Sequence, residues 1–369
     1  MGNTYRLEYL NPFGVPLDSF VEFEQVSYQR TENKVGNMDI LVKADINKYP
    51  LGYWKKDGVF LLMRSIDGGE FYNDTNTAWF INQVRYPTNK NGELQIHINC
   101  TDALGVLKRR LVAYESGNVF SEKEGFSEEM MKDFIRDNLG VGTLDADRSA
   151  SQYITIDMTE FNRGGIQIKS AAWAELFSTV SEIAKTSEEL IGRAMIFDLV
   201  YRGNFNFLFK VWEDYRGNDL RSGIPVSEEY GTLAQPQVLL DFESEKNSIY
   251  ALSKGTDGDQ TVINAVAENA DSSPFSRKEA KIQAKYQYSD AAVQAEAESA
   301  LLDQRAQALF SGILQQTKDF RYGVDFNYGD ILSAQYLGYT FDVRIKTVNV
   351  TVNKSGEQVL CRLEGKAIV

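Results

Sequence analysis

Cysteine and histidine are almost missing from this 369-residue chain, which has Cys100, Cys361 and a single histidine, His97. Two thiols cannot build a disulfide framework, and their scarcity suits synthesis in a reducing compartment. Three Cys and His side chains without finger or ribbon spacing exclude an ordinary zinc site, so neither a metal nor a cofactor is expected. A lone histidine permits at most one Ser-His-Asp triad, and His97 falls in mid-strand between Ile96 and Ile98, where a solvent-facing strand residue is the simpler reading. No run approaches ~18 consecutive apolar residues, so no membrane insertion is expected. The start, MGNTYRLEYL, lacks the basic region and apolar core of a signal peptide, which places synthesis in a cytoplasm. Positive charge is also short: 39 Lys and Arg against 52 Asp and Glu leave a net charge of −13. That balance argues against a sequence-independent grip on nucleic-acid phosphates, while an acidic wall past which nucleic acid slides remains compatible with it.

Signatures of catalysis are equally sparse. Gly68-Gly69 and Gly164-Gly165 match neither glycine pattern that cradles phosphates. The acidic clusters Asp145/Asp147, Glu213/Asp214 and Asp257/Asp259 fall in turn-rich segments, where solvated carboxylates are ordinary, although sequence leaves a glycosidase pair open. Asp257-Gly258-Asp259 is too short for a calcium loop. Trp54, Trp79, Trp173 and Trp212 each sit in an apolar periodic run, which reads as core and not as a sugar platform. No catalytic residue is assigned, and a non-enzymatic protein is expected.

What the chain does have is aromatic residues, 21 Phe and 19 Tyr, which favour β-structure. The patterns give an α+β fold, mainly β, with two related small β-barrel modules separated by helical and loop segments. Residues 1–116 form the first β-barrel module, 117–193 a helical and loop domain, and 194–288 the first part of the second β module. A long helix is expected over 289–318, and 319–369 supply the closing strands of the second barrel. Within these, a capped helix follows Phe126, a second helix runs from about Ser170 to Thr186 with Trp173 on its apolar face, and 194–200 with 205–212 read as a hairpin.

The two ends of the chain share a motif. Residues 81–93, INQVRYPTNKNGE, align without a gap on 345–357, IKTVNVTVNKSGE. Ile81/Ile345, Val84/Val348, Asn89/Asn353 and Gly92/Gly356 are identical pairs, as are Lys90/Lys354 and Glu93/Glu357. Each reads as strand, Asn-Lys-x-Gly turn, strand. After the turn the alternation falls out of phase by one residue, so either a bulge sits in one copy or the likeness ends there. Gapless alignment also pairs His97 with Cys361. The competing account is convergence on a favourable turn, since Asn and Gly are what any such turn recruits. A module used twice points to assembly, and Ile81, Val84, Asn89, Gly92, Ile345, Val348, Asn353 and Gly356 mark the candidate assembly hairpins.

Several stretches carry a wider resemblance. They are Trp79 to Glu93 with Cys100-Thr101-Asp102-Ala103-Leu104-Gly105, then Leu239 to Ser248 with Thr261 to Val266, and last the expected helix leading into Tyr328-Gly329-Asp330-Ile331-Leu332. In this order the chain resembles the tail hub, or baseplate hub, proteins of long-tailed bacteriophages. The resemblance implies a structural virion protein at the tail tip, a homotrimer whose paired barrels present a pseudo-sixfold ring to the tail tube. It further implies partners in a tail tube or distal tail protein and a tail fibre or tip protein, with DNA passing through without specific binding. Three subunits at −13 each would suit an acidic lumen. The chain ends after the second hairpin, so no fused cell-wall hydrolase is expected. The alternatives are a hexameric distal-tail or tube ring protein, or a carbohydrate-binding tail-tip protein.

Overall fold

The computed structural model describes residues 3–159, 162–243, 245–252, 262–283, 293–294, 297–298, 300–301 and 304–368. The first third of the chain folds as strands β1 (Thr4–Leu10), β2 (Pro16–Phe20), β3 (Gln25–Thr31), β4 (Asn37–Lys43), β5 (Val59–Ser65), β6 (Tyr72–Asn73), β7 (Trp79–Arg85) and β8 (Gln95–Asp102). A middle layer follows, with α1 (Gly105–Lys108), β9 (Ser121–Phe126), α2 (Ser127–Leu139), β10 (Ile154–Ile156), β11 (Ile166–Ala171), α3 (Leu176–Ile191), β12 (Met195–Tyr201) and β13 (Phe207–Glu213). The last third holds β14 (Leu233–Asp241), β15 (Ser248–Leu252), β16 (Val262–Val266), β17 (Glu279–Gln283), β18 (Gln307–Leu314), β19 (Ile331–Tyr336), β20 (Tyr339–Asn353) and β21 (Gly356–Ile368). The fold is thus mainly β, with a few helices, as composition suggests.

Alternation drives the main sheet. β3 buries Val26, Tyr28 and Arg30, β4 buries Met38, Ile40 and Val42, and β8 buries Ile96, Ile98 and Cys100, while the residues between them face outward. The order along the sheet is β14-β18-β21-β20-β3-β4-β8-β7-β5-β1-β2, with β19 on β20 and β6 on β5. Among the described residues this is an open path that closes no barrel. Eight consecutive strands divide into two quartets, β14-β18-β21-β20 and β3-β4-β8-β7. The two matched hairpins occupy the third and fourth places of each quartet, so the quartets are related by a shift of four strands, ~19 Å at the usual strand spacing.

The middle layer has its own core. Phe134 and Ile135 of α2, Val180 and Ile183 of α3, and Phe197 and Phe209 of the β10-β13-β12 sheet pack together and against Leu61 of β5. The hairpin expected to open the second module (194–200 and 205–212) therefore shares its core with the helical segment preceding it, because Phe197 and Phe209 join the same cluster as Val180 and Ile183 of α3. A satellite sheet, β16-β15-β17, covers Val293, Ala297 and Leu301, and lies between β14 and β18 in sequence.

Two helical expectations need correction. Residues 307–314, inside the long helix expected over 289–318, form β18, paired to both β14 and β21. Their Leu309, Phe310 and Leu314 suit either period. Ladder bonds on two sides, and Gly312, whose place a Cβ would fill to within 2.9 Å of Leu233, settle it as strand. The described residues among 293–301 are helical, while 289–292 lie outside the described residues. The second helix starts at Leu176 and not near Ser170, because Ser170 and Ala171 pair with Glu122 and Ser121 of β9. Trp173 then takes a left-handed φ of 53°, which no α-helix accommodates, and its ring is 57% exposed instead of buried in the core.

Candidate functional site

The candidate assembly residues lie at one end of the main sheet. Asn353 of β20 pairs with Gln25, Gln25 with Leu41, Leu41 with His97, and His97 with Arg85. Both hairpin turns sit at this end. They use the same chemistry: the Asn89 side-chain oxygen accepts from the Asn91 amide at 2.9 Å, and that of Asn353 accepts from the Ser355 amide at 2.8 Å. Each turn then needs a positive φ, at Gly92 (78°) and Gly356 (117°). Ile81 and Ile345 are buried, and immediately after each comes a register shift, between Ile81 and Gln83 and between Ile345 and Thr347. The bulge is thus present in both copies, at the same place.

The phase slip arises in the turn. Val84 faces Ile98 and Val348 faces Cys361, so Cys361 is the structural counterpart of Ile98 and not of His97. The first turn closes one residue further along, with the Glu93 carbonyl accepting from the Asn89 amide at 2.8 Å, whereas Asn353 pairs directly with Gly356. A single-residue difference reverses the face of every residue that follows it. The two glutamates also part ways: Glu93 is exposed, while the Glu357 carboxylate takes the Arg64 guanidinium at 2.7 Å.

The middle layer covers the outer face of the sheet at β5, where Val59 and Leu61 are buried, whereas two rows farther along carry no buried side chain. One row reads Gln358, Thr351, Ser27, Asp39, Asn99, Gln83 across six strands, and none of the six is buried. A second row reads Leu360, Asn349, Gln29, Asn37, Thr101. Amides and hydroxyls dominate both, and the one carboxylate, Asp39, accepts from the Asn99 amide at 3.0 Å.

Two buried charge clusters lie beneath the sheet, the first joining it to the middle layer and the second joining strands of the sheet itself. The Arg30 guanidinium donates to both Asp198 oxygens at 2.9 Å and to the Thr75 carbonyl at 2.9 Å. Arg216 reaches Asp198 at 2.7 Å, and the Tyr328 ring lies 5.1 Å from both guanidiniums. Burial opposes ionisation of Asp198, but Arg30 and Arg216 outweigh it and hold this carboxyl below the usual range. Asp102, 3.4 Å from Arg30 but accepting no hydrogen bond, is pushed by burial up to about 6. Burial raises Glu32 to about 7 against the pull of Arg344, 3.5 Å away, and of Lys346. In the second cluster Arg64 bridges Asp74 at 3.2 Å and Glu357, with the Tyr28 hydroxyl donating to Asp74.

Glu32 makes a pH prediction. A carboxyl whose folded-state pKa lies above its unfolded value favours the folded state fully below about 4.5 and loses that contribution as pH rises through about 7. Stability should fall between pH 5 and 8 by up to about 3 kcal/mol from this group. Glu32→Gln should flatten that slope in urea titrations, and an unchanged slope would refute the assignment.

Other residues singled out from sequence prove ordinary. His97 is half-buried on the outer face, and Cys100 and Cys361 are buried free thiols. The Asp145 side chain accepts from the Asp147 amide, and Glu213 is bound by Arg193 at 2.9 Å. Asp257, Asp259 and Thr261 lie outside the described residues. Among the described residues no cluster of His, Cys, Asp and Glu could hold a metal, and no helix is long and apolar enough to cross a membrane. The sequence reading missed the buried charges. The signal was there in Met195-Ile-Phe-Asp-Leu-Val-Tyr201 and Val59-Phe-Leu-Leu-Met-Arg-Ser65, where one charge interrupts an otherwise apolar strand and requires a partner.

The architecture has counterparts among solved structures. A tail protein from Neisseria meningitidis MC58 superposes with a TM-score of 0.54 at 12% identity, covering 98% of this chain and 96% of that one. A 43 kDa tail protein of prophage MuSo2 from Shewanella oneidensis gives 0.55 at 9% identity, covering 97% of each chain. Prophage tail protein gp18 from Listeria monocytogenes EGD-e gives 0.52 at 11% identity, covering 98% and 94%. At such identities the likeness is one of fold. No curated protein matches the chain by sequence. A family model, however, matches residues 18–363, nearly the whole chain, and the chain belongs to the Siphovirus ReqiPepy6 Gp37-like protein family.

Proposed function

We propose that the chain is a non-enzymatic tail hub: a ring, three copies round, at the distal end of the tail tube, joining the tube to tip components and leaving a channel for DNA. The observation that carries this is the strand order. Within the chain the fourth strand of one quartet, β20, pairs antiparallel with the first strand of the next, β3. β5 occupies the outer edge of β7 only at Trp79 and Phe80, and the same rule applied between copies joins the remainder of β7, the fourth strand of its quartet, to β14 of a neighbour, the first strand of its own. β14 has β18 on one side, and among the described residues nothing pairs with its other edge. Leu240 at that edge is 49% exposed, although its strand neighbours on the same face turn toward the core. An unpaired edge carrying exposed apolar side chains is a template for another strand. Repetition then places six quartets round three copies, which matches a sixfold tube while each chain contributes two diverged neighbours. On this reading the turns at Asn89 to Gly92 and Asn353 to Gly356 project from one rim of the ring.

Native mass measurement tests the reading. The wild-type chain should run at three times its chain mass. Leu240→Asp, at an exposed position, should run as a monomer with an unchanged unfolding midpoint. A wild-type monomer at all concentrations would remove the proposal, and six copies would favour the tube or distal-tail ring instead.

A further inference from the structure

The turn between β19 and β20 places a leucine where the chain elsewhere uses small polar residues. Tyr336 pairs with Tyr339, so Leu337 and Gly338 form a two-residue turn, and φ is positive at both, 53° and 79°. Such a turn recruits Asn, Asp or Gly at its first position, because a bulky side chain crowds the backbone there. Among the described residues, seven of the eleven non-glycine residues with positive φ are Asn or Asp, and the exceptional Phe205 is buried. Leu337 is instead 70% exposed, as is Tyr339 beside it. Leucine at 337 thus brings the fold neither conformational ease nor burial. Backbone strain without a local gain points to contact with something outside the chain.

We infer that this tip is an anchor for a second protein whose surface offers an apolar pocket rimmed by lysine or arginine. Its support is firm. Six ladder pairs hold the hairpin from Ile331–Arg344 to Tyr336–Tyr339, and the Phe341 ring stacks on Phe310 with centroids 5.1 Å apart. Along the other side of β19 the chain runs parallel to it. There the Gln335 amide donates to the Val226 carbonyl at 2.9 Å, and the Val226 amide to the Ser333 carbonyl at 2.8 Å. That course brings Glu228, Glu229 and Tyr230 out beside the tip, all three exposed. Tyrosine is enriched at protein interfaces, and apolar groups already held in one geometry lose little freedom on binding.

Charge selects the partner's rim. Residues 219–230 and 331–342 carry four carboxylates, on Asp219, Glu228, Glu229 and Asp342, against one guanidinium, on Arg221. Asp219 and Asp342 hold that guanidinium at 2.6 and 2.9 Å. The corner is therefore acidic, which repels the same corner of another copy and attracts a basic rim. β20 runs from Tyr339 to Asn353, so the tip stands about 45 Å from the turn at Asn353, at the opposite end of the sheet. The tip and the matched turns face different neighbours. This holds whatever the number of copies in the ring.

Photocross-linking in assembled tails tests the inference. Tyr339→p-benzoylphenylalanine, and Leu337→p-benzoylphenylalanine as a second variant, should each cross-link to a different tail protein. The captured peptide should carry Lys or Arg beside apolar residues. Cross-links to another copy of this chain, to an acidic peptide, or to no protein from either position would overturn the inference. Leu337→Asn gives an independent reading, because Asn-Gly suits the turn. The urea midpoint of the purified chain should rise, while the cross-link yield from position 339 should fall about tenfold, as on loss of one anchor side chain. A lower midpoint or an unchanged yield would also overturn it. Native mass of the purified chain reads the ring separately, so failure of one proposal does not pass for failure of the other.

Discussion

Asp198→Ala should cost about 3–5 kcal/mol, the largest loss expected from any single truncation of a polar residue in this chain. Arg30 and Asp198 are both almost wholly buried, and the aspartate is the only group that gives Arg30 a bidentate carboxylate. Its removal leaves the Arg30 guanidinium with the Thr75 carbonyl and the poorly placed Asp102, in surroundings that cannot solvate it. Arg216 loses the same partner. The damage is not confined to one element, since Arg30 stands on β3, Asp198 on β12 of the middle layer, and Arg216 leads toward Gly217, whose amide donates to the Gly329 carbonyl. Urea unfolding checks this: the midpoint should drop sharply with little change in slope. Asp198→Asn, which keeps an acceptor, should lose less. A loss below about 1 kcal/mol for the alanine variant would mean that the cluster is solvated and contributes little.

Arg64→Met should be nearly as costly, about 3–5 kcal/mol, for the same reason and with a local signature. Arg64 is fully buried on β5, and its two donors tie Asp74 to Glu357, so one side chain fastens the closing hairpin to the first module. The Tyr5 and Tyr322 rings flank it at 5.6 and 5.1 Å, and a Cβ on residue 323 would come within 2.5 Å of its Nη1, so Gly323 at φ 82° is required there. Methionine fills much of the volume but leaves the buried Asp74 carboxyl with only the Tyr28 hydroxyl as donor. Adding Asp74→Asn should recover part of the loss, giving a coupling that a double-mutant cycle reads directly. Hydrogen exchange should quicken at Val352 to Gln358 in the single variant. Additive effects of the two substitutions would show that the bridge is not formed.

The matched hairpins were legible in the sequence because a turn is a local matter. Asn, Lys and Gly at fixed spacing specify the side-chain cap and the positive φ, and the structure shows both at each end of the chain. The bulge after Ile81 and Ile345 was not legible, since an extra residue in a ladder is defined by its partner strand. Nor was the residue-level correspondence beyond the turn: a gapless alignment pairs His97 with Cys361, while the ladders pair Ile98 with Cys361 as the residues facing Val84 and Val348. Residues 307–314 failed as a helix because their apolar spacing suits both periods, and only the two flanking strands decide. Trp173 failed as core because its backbone is set by the bridge between Leu111 and Glu175 and by the hydrogen bond from its amide to the Val112 carbonyl, neither visible from the helix pattern alone.

The sequence by itself determined a mainly β protein without metal-site spacing or a spanning helix, carrying one hairpin design twice. Composition, periodicity and turn chemistry are short-range properties, and they suffice for that. Only the tertiary structure decided that the two hairpins hold equivalent places in one continuous sheet, and that buried Arg30 joins that sheet to the middle layer through Asp198. Those features depend on which strand lies beside which. Strand adjacency is set by burial and pairing between residues more than 300 positions apart, such as Thr31 and Thr347, whose hydroxyls meet at 3.1 Å across the seam between the quartets.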